Sequence, residues 1–192
     1  MDNFSVLVFW AVAGYLAGSI PFGWIIGKLL GKDVRNFGSG NIGATNLVRA
    51  GGKSAGIITF ALDFLKGAVP AGLAIRNSVD ASVAAGLFAV IGHDFPITLR
   101  FKGGKGISST LGVLSIWSTP LLLIASIVWF TLFAVLKISS LSSLAALLSI
   151  AVAGYFMVSG TLFYALLFLV ALAAARHYPN IKRLLFGKEK RL

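Results

Sequence analysis

ISSTLGVLSIWSTPLLLIASIVWFTLFAVL, residues 107–136, stays apolar for 30 residues, and its reading decides how the chain folds. As one α-helix it would measure about 45 Å, well beyond the roughly 30 Å hydrocarbon core that about 20 apolar residues cross. Ser118-Thr119-Pro120 reads as an N-cap followed by proline in the first helical turn. The run therefore divides there, into a short tilted or partly re-entrant helix of about 12 residues and a complete crossing.

Working outward, Phe4–Leu30 is another crossing, long enough to tilt or to kink at Pro21. Ser54–Ile75 follows, interrupted by Asp63 and Lys66, and then Ala81–Leu99, with His93 and Asp94 near its end. Ser139–Val158 and Thr161–Ala175 complete seven helices around a Ser159-Gly160 break. These runs are continuous rather than alternating, which excludes a transmembrane β-barrel. The expected fold is an all-α, polytopic integral membrane protein forming a single domain over residues 1–192.

Charge sets the orientation. The chain carries 17 Lys+Arg against 6 Asp+Glu. With the N-terminus outside and the C-terminus cytoplasmic, 15 basic residues fall inside, Arg76 falls outside and Lys66 lies within a span. Treating 107–136 as one crossing divides the loop charges eight against eight, so the positive-inside rule favours seven helices. A five-helix alternative places charge nearly as well but requires residues 138–175 to be one 38-residue helix. Composition agrees: 57% of residues are hydrophobic and 12% charged, against about 25% charged in soluble domains. Cysteine is absent, which excludes a disulfide scaffold. Nucleic acid would explain the basicity but not the hydrophobicity. The first segment lacks the basic start of a cleavable signal peptide.

Three polar clusters gather on the cytoplasmic side. In the first, residues 35–49, Gly38, Gly40 and Gly43 match G-x-G-x-x-G, but the dinucleotide meaning of that pattern needs a βαβ unit. Its physics survives: glycines let backbone N–H groups converge on an anion. Ser39, Asn41, Thr45 and Asn46 add neutral hydrogen-bonding groups, and Arg35 or Arg49 can grip phosphate oxygens bidentately. A flexible loop with orienting arginines is the plainer alternative.

The second cluster, residues 101–110, brings Gly103, Gly104, Lys105 and Gly106 to the start of an apolar helix. A helix N-terminus with glycines and a lysine can hold an anion, or the segment is a basic interfacial loop. Neither it nor Gly52-Lys53-Ser54 is a Walker motif. The third cluster, residues 176–183, holds His177 and Asn180 in a basic tail that can also anchor to headgroups. Asp63 and Lys66, three apart, can pair on one helical face. His93 and Asp94 either form a polar site or are simply hydrogen-bonded.

Two distant histidines, no cysteine and no carboxylate cluster give metal chemistry no footing, so no metal or organic cofactor is expected. The residues point to a cytoplasmic-side pocket for phosphate, with more than one anion held.

At these clusters the chain resembles the bacterial acyl-phosphate:glycerol-3-phosphate acyltransferase family (the PlsY family). The matching pieces are Gly18–Gly23, Arg35-Asn36, GSGNIGATN at residues 38–46, Arg49, Leu62–Gly67, Gly92-His93, FKGGKG at residues 101–106, and His177 with Asn180-Ile181 and Arg183-Leu184. They run in family order across nearly the whole chain. The resemblance implies transfer of a fatty acyl group from acyl phosphate to the 1-hydroxyl of glycerol 3-phosphate, giving lysophosphatidate and phosphate. This is the first acylation of phospholipid synthesis, in the bacterial inner membrane.

It implies catalytic roles for Ser39, Arg49, Lys105 and His177. Phosphate would be bound by the first three, with backbone amides of Gly38–Gly43 and Gly103–Gly106. Glycerol 3-phosphate would be positioned by Asn41, Asn46, His177 and Asn180, with Thr45, His93 and Ser143 as further substrate contacts. Partners are the two substrates and membrane lipid, without nucleic acid or an obligate protein partner. The H-x-x-x-x-D pattern of other glycerolipid acyltransferases is missing: Thr98 and Lys182 stand where it would need aspartate. The base remains His177, His93 or the substrate's own phosphate. A carrier for phosphorylated small molecules is the rival class, and it would call for inverted repeats or broken midplane helices.

Overall fold

The computed structural model describes residues 2–192. Among them there are nine α-helices, two 3₁₀ turns and no strand. Five helical stretches are long and apolar enough to cross a membrane. A sixth forms if the pair Gly160–Arg176 and Tyr178–Leu185, bent by 57°, is one span. Ile107–Trp117 is a shorter apolar helix. The chain divides after Ile116 into two compact units.

In the first unit, α1 (Asn3–Gly18) and α2 (Phe22–Leu29) are separated at Ser19–Pro21. Proline cannot donate a helical hydrogen bond, so the expected kink is a break. α3 spans Ala44–Ala74 with Gly52 at φ 84°, ψ 178° inside it, a conformation open only to glycine. The N-terminal part of this helix, Ala44–Gly51, was expected to be loop; it is polar yet helical because Leu47 and Ala50 bury against Val34 and Ile42. Lys32 Nζ donates to the Ala50 carbonyl at 2.6 Å, satisfying an acceptor beside the Gly52 break.

α4 (Val79–Asp94) packs along α1, and α5 (Ile107–Trp117) along α3. The contacts are backbone-close: a Cβ on Gly14 or Gly18 would strike the carbonyls of Ala85 or Ala89, and one on Gly67 or Gly112 those of Ser109 or Phe64. Lipid tails are as apolar as leucine, so helix association in a membrane depends on such close van der Waals fit. Ser82 Oγ on α4 donates to the Ala71 carbonyl of α3 at 2.9 Å, a polar tie between these two helices.

The second unit holds α6 (Thr119–Leu136), α7 (Ser139–Met157), α8 (Gly160–Arg176) and α9 (Tyr178–Leu185). α6 begins where Ser118-Thr119-Pro120 indicated, with proline in its first turn, although the Ser118 side chain makes no capping bond. α7 packs between α6 and α8, and Leu147 and Ile150 of α7 and Leu166 and Leu169 of α8 are buried. Phe130, Phe156 and Tyr164 point outward, as lipid-facing side chains do.

Candidate active site

The first loop is held by two side chains with different tasks. Asp33 caps the 3₁₀ turn Val34–Asn36 and takes Arg35 in a two-pronged ion pair, Nε at 2.9 Å and NH2 at 2.6 Å. The Arg35 guanidinium therefore holds the Asp33 carboxyl well below the usual carboxylate range. Arg35 is thereby engaged by its own loop, whereas the Arg49 stem packs against Gly38.

Asn46, 2% exposed, is the second brace. Its Nδ2 donates to the carbonyls of Val34 at 2.9 Å and Asn41 at 2.8 Å, and its Oδ1 accepts from the Ser39 amide at 2.9 Å. Asn41 Oδ1 accepts from the Gly43 amide at 2.8 Å, which closes the turn into α3. Gly38 and Gly40 sit at φ 55° and 71°, the left-handed region that lets the chain reverse here. Ser39 stands exposed on the outside of the reversal, with Asn41 and Thr45 half-buried beside it.

The second loop lies directly on the end of α4. The Gly104 amide donates to the His93 carbonyl at 3.0 Å and the Gly103 amide to the Asp94 carbonyl at 3.2 Å. A Cβ on Gly104 would land on the His93 ring, one on Gly103 on the His93 carbonyl, and one on Gly106 at 3.3 Å from the Asp94 carboxylate. Lys105, half-buried, is thus the one side chain of residues 103–106, displayed at the entry to α5.

Beneath the second loop lies a buried polar cluster. Lys66 Nζ is 2.8 Å from Asp63 Oδ1 and donates to the Ile20 carbonyl at 2.8 Å. His93 Nδ1 is 3.5 Å from the same Asp63 oxygen. An unpaired charge at a helix centre costs about 2.5–3.5 kcal/mol to insert, so Asp63 and Lys66 hold each other as their spacing indicated.

In the second unit, His177 ends α8, buried, with Nδ1 2.8 Å from the Ala173 carbonyl. A carbonyl only accepts, so Nδ1 carries a proton, and whenever the ring is neutral its lone pair is on Nε2. Asn180 Nδ2 donates to Glu189 Oε1 at 2.6 Å, which Ser140 Oγ also reaches at 2.8 Å; Arg183 Nε meets Oε2 at 2.6 Å. Burial works against the Glu189 charge, but these three hydrogen bonds prevail and hold its carboxyl below the usual range. Buried Ser143 accepts from Trp129 Nε1 at 3.1 Å.

The family described as glycerol-3-phosphate acyltransferase matches residues 8–187. A glycerol-3-phosphate acyltransferase 2 of Thermotoga maritima is 43% identical over 187 residues, covering 94% of each chain. The chain belongs to the glycerol-3-phosphate acyltransferase family. Two crystal structures of PlsY (YgiH), an integral membrane glycerol 3-phosphate acyltransferase, agree in fold. The glycerol 3-phosphate form matches with a TM-score of 0.93 at 39% identity, covering 97% of this chain and 95% of that one. The lysophosphatidic acid form matches with a TM-score of 0.90 at 38% identity over the same shares.

Within this member of the family, three expectations change. The amides of Ser39, Gly40, Asn41 and Gly43 are engaged inside the first loop, and those of Gly103 and Gly104 on α4. The glycines at 38, 40, 43, 103 and 104 therefore shape the loops that carry Ser39 and Lys105, with Arg49 of α3 packed against Gly38, rather than form a bare nest of N–H donors. Asn46 is consumed as a brace, since both its amide hydrogens already have carbonyl partners. His93 is 3% exposed, its ring under Gly104 rather than on the loop's open side. Sequence reasoning missed Glu189, which orients Asn180. The signal was present: it is the only glutamate in the chain, set among tail lysines and arginines.

Proposed function

We propose that this chain transfers a fatty acyl group from acyl phosphate to the 1-hydroxyl of glycerol 3-phosphate. The observation that carries it is the near full-length likeness to an acyltransferase solved in its glycerol 3-phosphate form. The acyl-phosphate donor is supported by the sequence resemblance and by the duplication of cationic loops, since both substrates then bring a phosphate. Seven spans, with Ile107–Trp117 as the short one, put the N-terminus outside and the reacting face on the cytoplasmic side of the bacterial inner membrane. The positive-inside distribution of 15 of 17 basic residues supports this orientation. Residues 1–192 act as one functional domain.

Ser39, Arg49 and Lys105 hold phosphate oxygens through their side chains, and the loop glycines, Gly106 included, allow a substrate to come close. Asn41, Thr45, Ser143 and Asn180 hydrogen-bond glycerol 3-phosphate, while Asn46 and His93 act from behind the loops. Acyl phosphate is already a mixed anhydride, so no protein nucleophile is needed. The glycerol hydroxyl oxygen bonds to the acyl carbon, the anhydride C–O bond breaks, and the hydroxyl proton ends on the departing phosphate. His177 carries that proton through Nε2. Orienting the two reactants draws on the roughly 7–11 kcal/mol available to well-aligned groups, and the cations stabilise charge growing on the leaving phosphate.

The test is a donor panel with purified protein and glycerol 3-phosphate. Lysophosphatidate forms from acyl phosphate and not from acyl-CoA; formation from acyl-CoA alone overturns the donor, and no product from any donor overturns the enzyme. His177→Gln lowers kcat by about 10²-fold or more. Near-normal turnover would give the proton directly to the substrate's phosphate.

A further inference from the structure

The buried cluster below the second glycine loop extends beyond the Asp63–Lys66 pair, and the buried Asp94 carboxylate beside Gly106 belongs to it. Asp63 and Lys66 neutralise each other three residues apart on α3, and an apolar pair there would avoid burying charge at all. Yet each also reaches off its helix. Lys66 donates to the Ile20 carbonyl in the broken stretch between α1 and α2. Asp63 Oδ1 faces His93 Nδ1 at 3.5 Å, and the Asp63 carbonyl accepts from Ser109 Oγ at 2.9 Å, at the first turn of α5. All four side chains are buried: Asp63 2%, Lys66 6%, His93 3% and Ser109 0% exposed.

The cluster therefore touches the loop at both ends. On one side the His93 ring is the floor on which Gly104 rests, and the His93 carbonyl takes the Gly104 amide. On the other, Ser109 ties the turn just after Gly106 to α3. Lys105 stands between these two fixed points. With no side chain at 103, 104 or 106 to pack, the backbone path that carries Lys105 follows the loop's floor and its two ends.

We infer that Asp63 and His93 are positioning residues: the Asp63–His93 contact fixes the imidazole beneath Gly104, and this sets where Lys105 meets substrate phosphate. The inference rests on the acyl-transfer function proposed above. Lys66 holds Asp63 in register by bridging it to the α1–α2 break. None of the three touches substrate; they act through the loop.

The experiment compares two amides that differ in where they place a donor. An asparagine at position 93 puts its Nδ2 near the place of the imidazole Nδ1, towards Asp63, whereas glutamine places its amide near that of Nε2, towards Gly104. His93→Asn is expected to keep kcat within about threefold of the parent and His93→Gln to lower it about 10-fold or more, a loss on the scale of small misplacements of a reacting group. KM for the two substrates changes less than kcat. Equal losses in both variants, or the reverse order, overturn the inference, and their thermal midpoints show that both are folded.

A double-mutant cycle with Lys105→Arg supplies the second readout. If His93 acts through Lys105, His93→Gln costs distinctly less in the Lys105→Arg background than in the parent. Fully multiplicative losses would mean that His93 serves stability alone. Should the parent protein itself make no lysophosphatidate from acyl phosphate, the function has failed; should the parent be active while the amide pair fails to separate, only this inference has.

Discussion

The two glycine loops look alike in sequence and are built on opposite principles. GSGNIGATN needs glycine for its dihedral angles: Gly38 and Gly40 occupy the left-handed region, and the turn they make is locked by the buried Asn46 amide. In FKGGKG, Gly103 and Gly104 are needed for space, because the loop rests on the backbone and ring of His93. The first loop carries its own scaffold, while the second borrows one from α4. Glycine-rich segments beside cationic residues can thus be held by self-bracing or by being pressed onto a floor, with different vulnerabilities.

That difference orders the expected effects. Gly104→Ala should be the most damaging, since its methyl displaces the His93 ring and shifts Lys105; a displacement near 1 Å can cost about 10²-fold in rate. Steady-state kinetics on folded protein measures it, and a loss under about threefold would show that the loop does not rest on His93.

Asn46→Ala should come next. It removes three hydrogen bonds worth about 0.5–1.5 kcal/mol each, loosening the first loop without a steric clash. The expected outcome is a drop of about 10-fold in kcat/KM, carried mostly by KM, with a lowered thermal midpoint. A loss larger than that of Gly104→Ala would reverse the comparison.

The smallest effect lies in the second unit, where Glu189 gathers Ser140, Asn180 and Arg183. Its carboxyl is held below the ordinary value of 4.5, so its contribution is complete above that pH and is lost as pH falls through the lower folded value. Proteolytic sensitivity of the tail should rise only on acidification below the ordinary value of 4.5, and Glu189→Gln should remove that dependence. Sensitivity that rises equally in both proteins would place the acid transition elsewhere.

Much of the fold was readable because the signals are local. Pro21 and Ser118-Thr119-Pro120 mark helix breaks through the missing proline N–H, and the i,i+3 spacing of Asp63 and Lys66 is enough to pair them. Ala44–Gly51 escaped because its polar composition hides a helix stabilised by Leu47 and Ala50 against Val34 and Ile42. The wiring of the candidate site was not legible in the sequence. Nothing in the order Gly103-Gly104-Lys105 tells that His93 lies underneath, since the close approach depends on where α4 ends. Likewise, Asn46 reads as an available amide until its two carbonyl partners, 12 and 5 residues away, are known. Glu189 was distinctive by its rarity, but its three partners are gathered only when the tail folds back.

The most direct test is coupled stoichiometry in vesicles, with radiolabelled glycerol 3-phosphate and unlabelled acyl phosphate. Direct transfer predicts one inorganic phosphate for each labelled lysophosphatidate and no phosphate release when glycerol 3-phosphate is omitted. A burst of phosphate equal to the protein present, released without glycerol 3-phosphate, would instead reveal an acylated side chain and contradict the account.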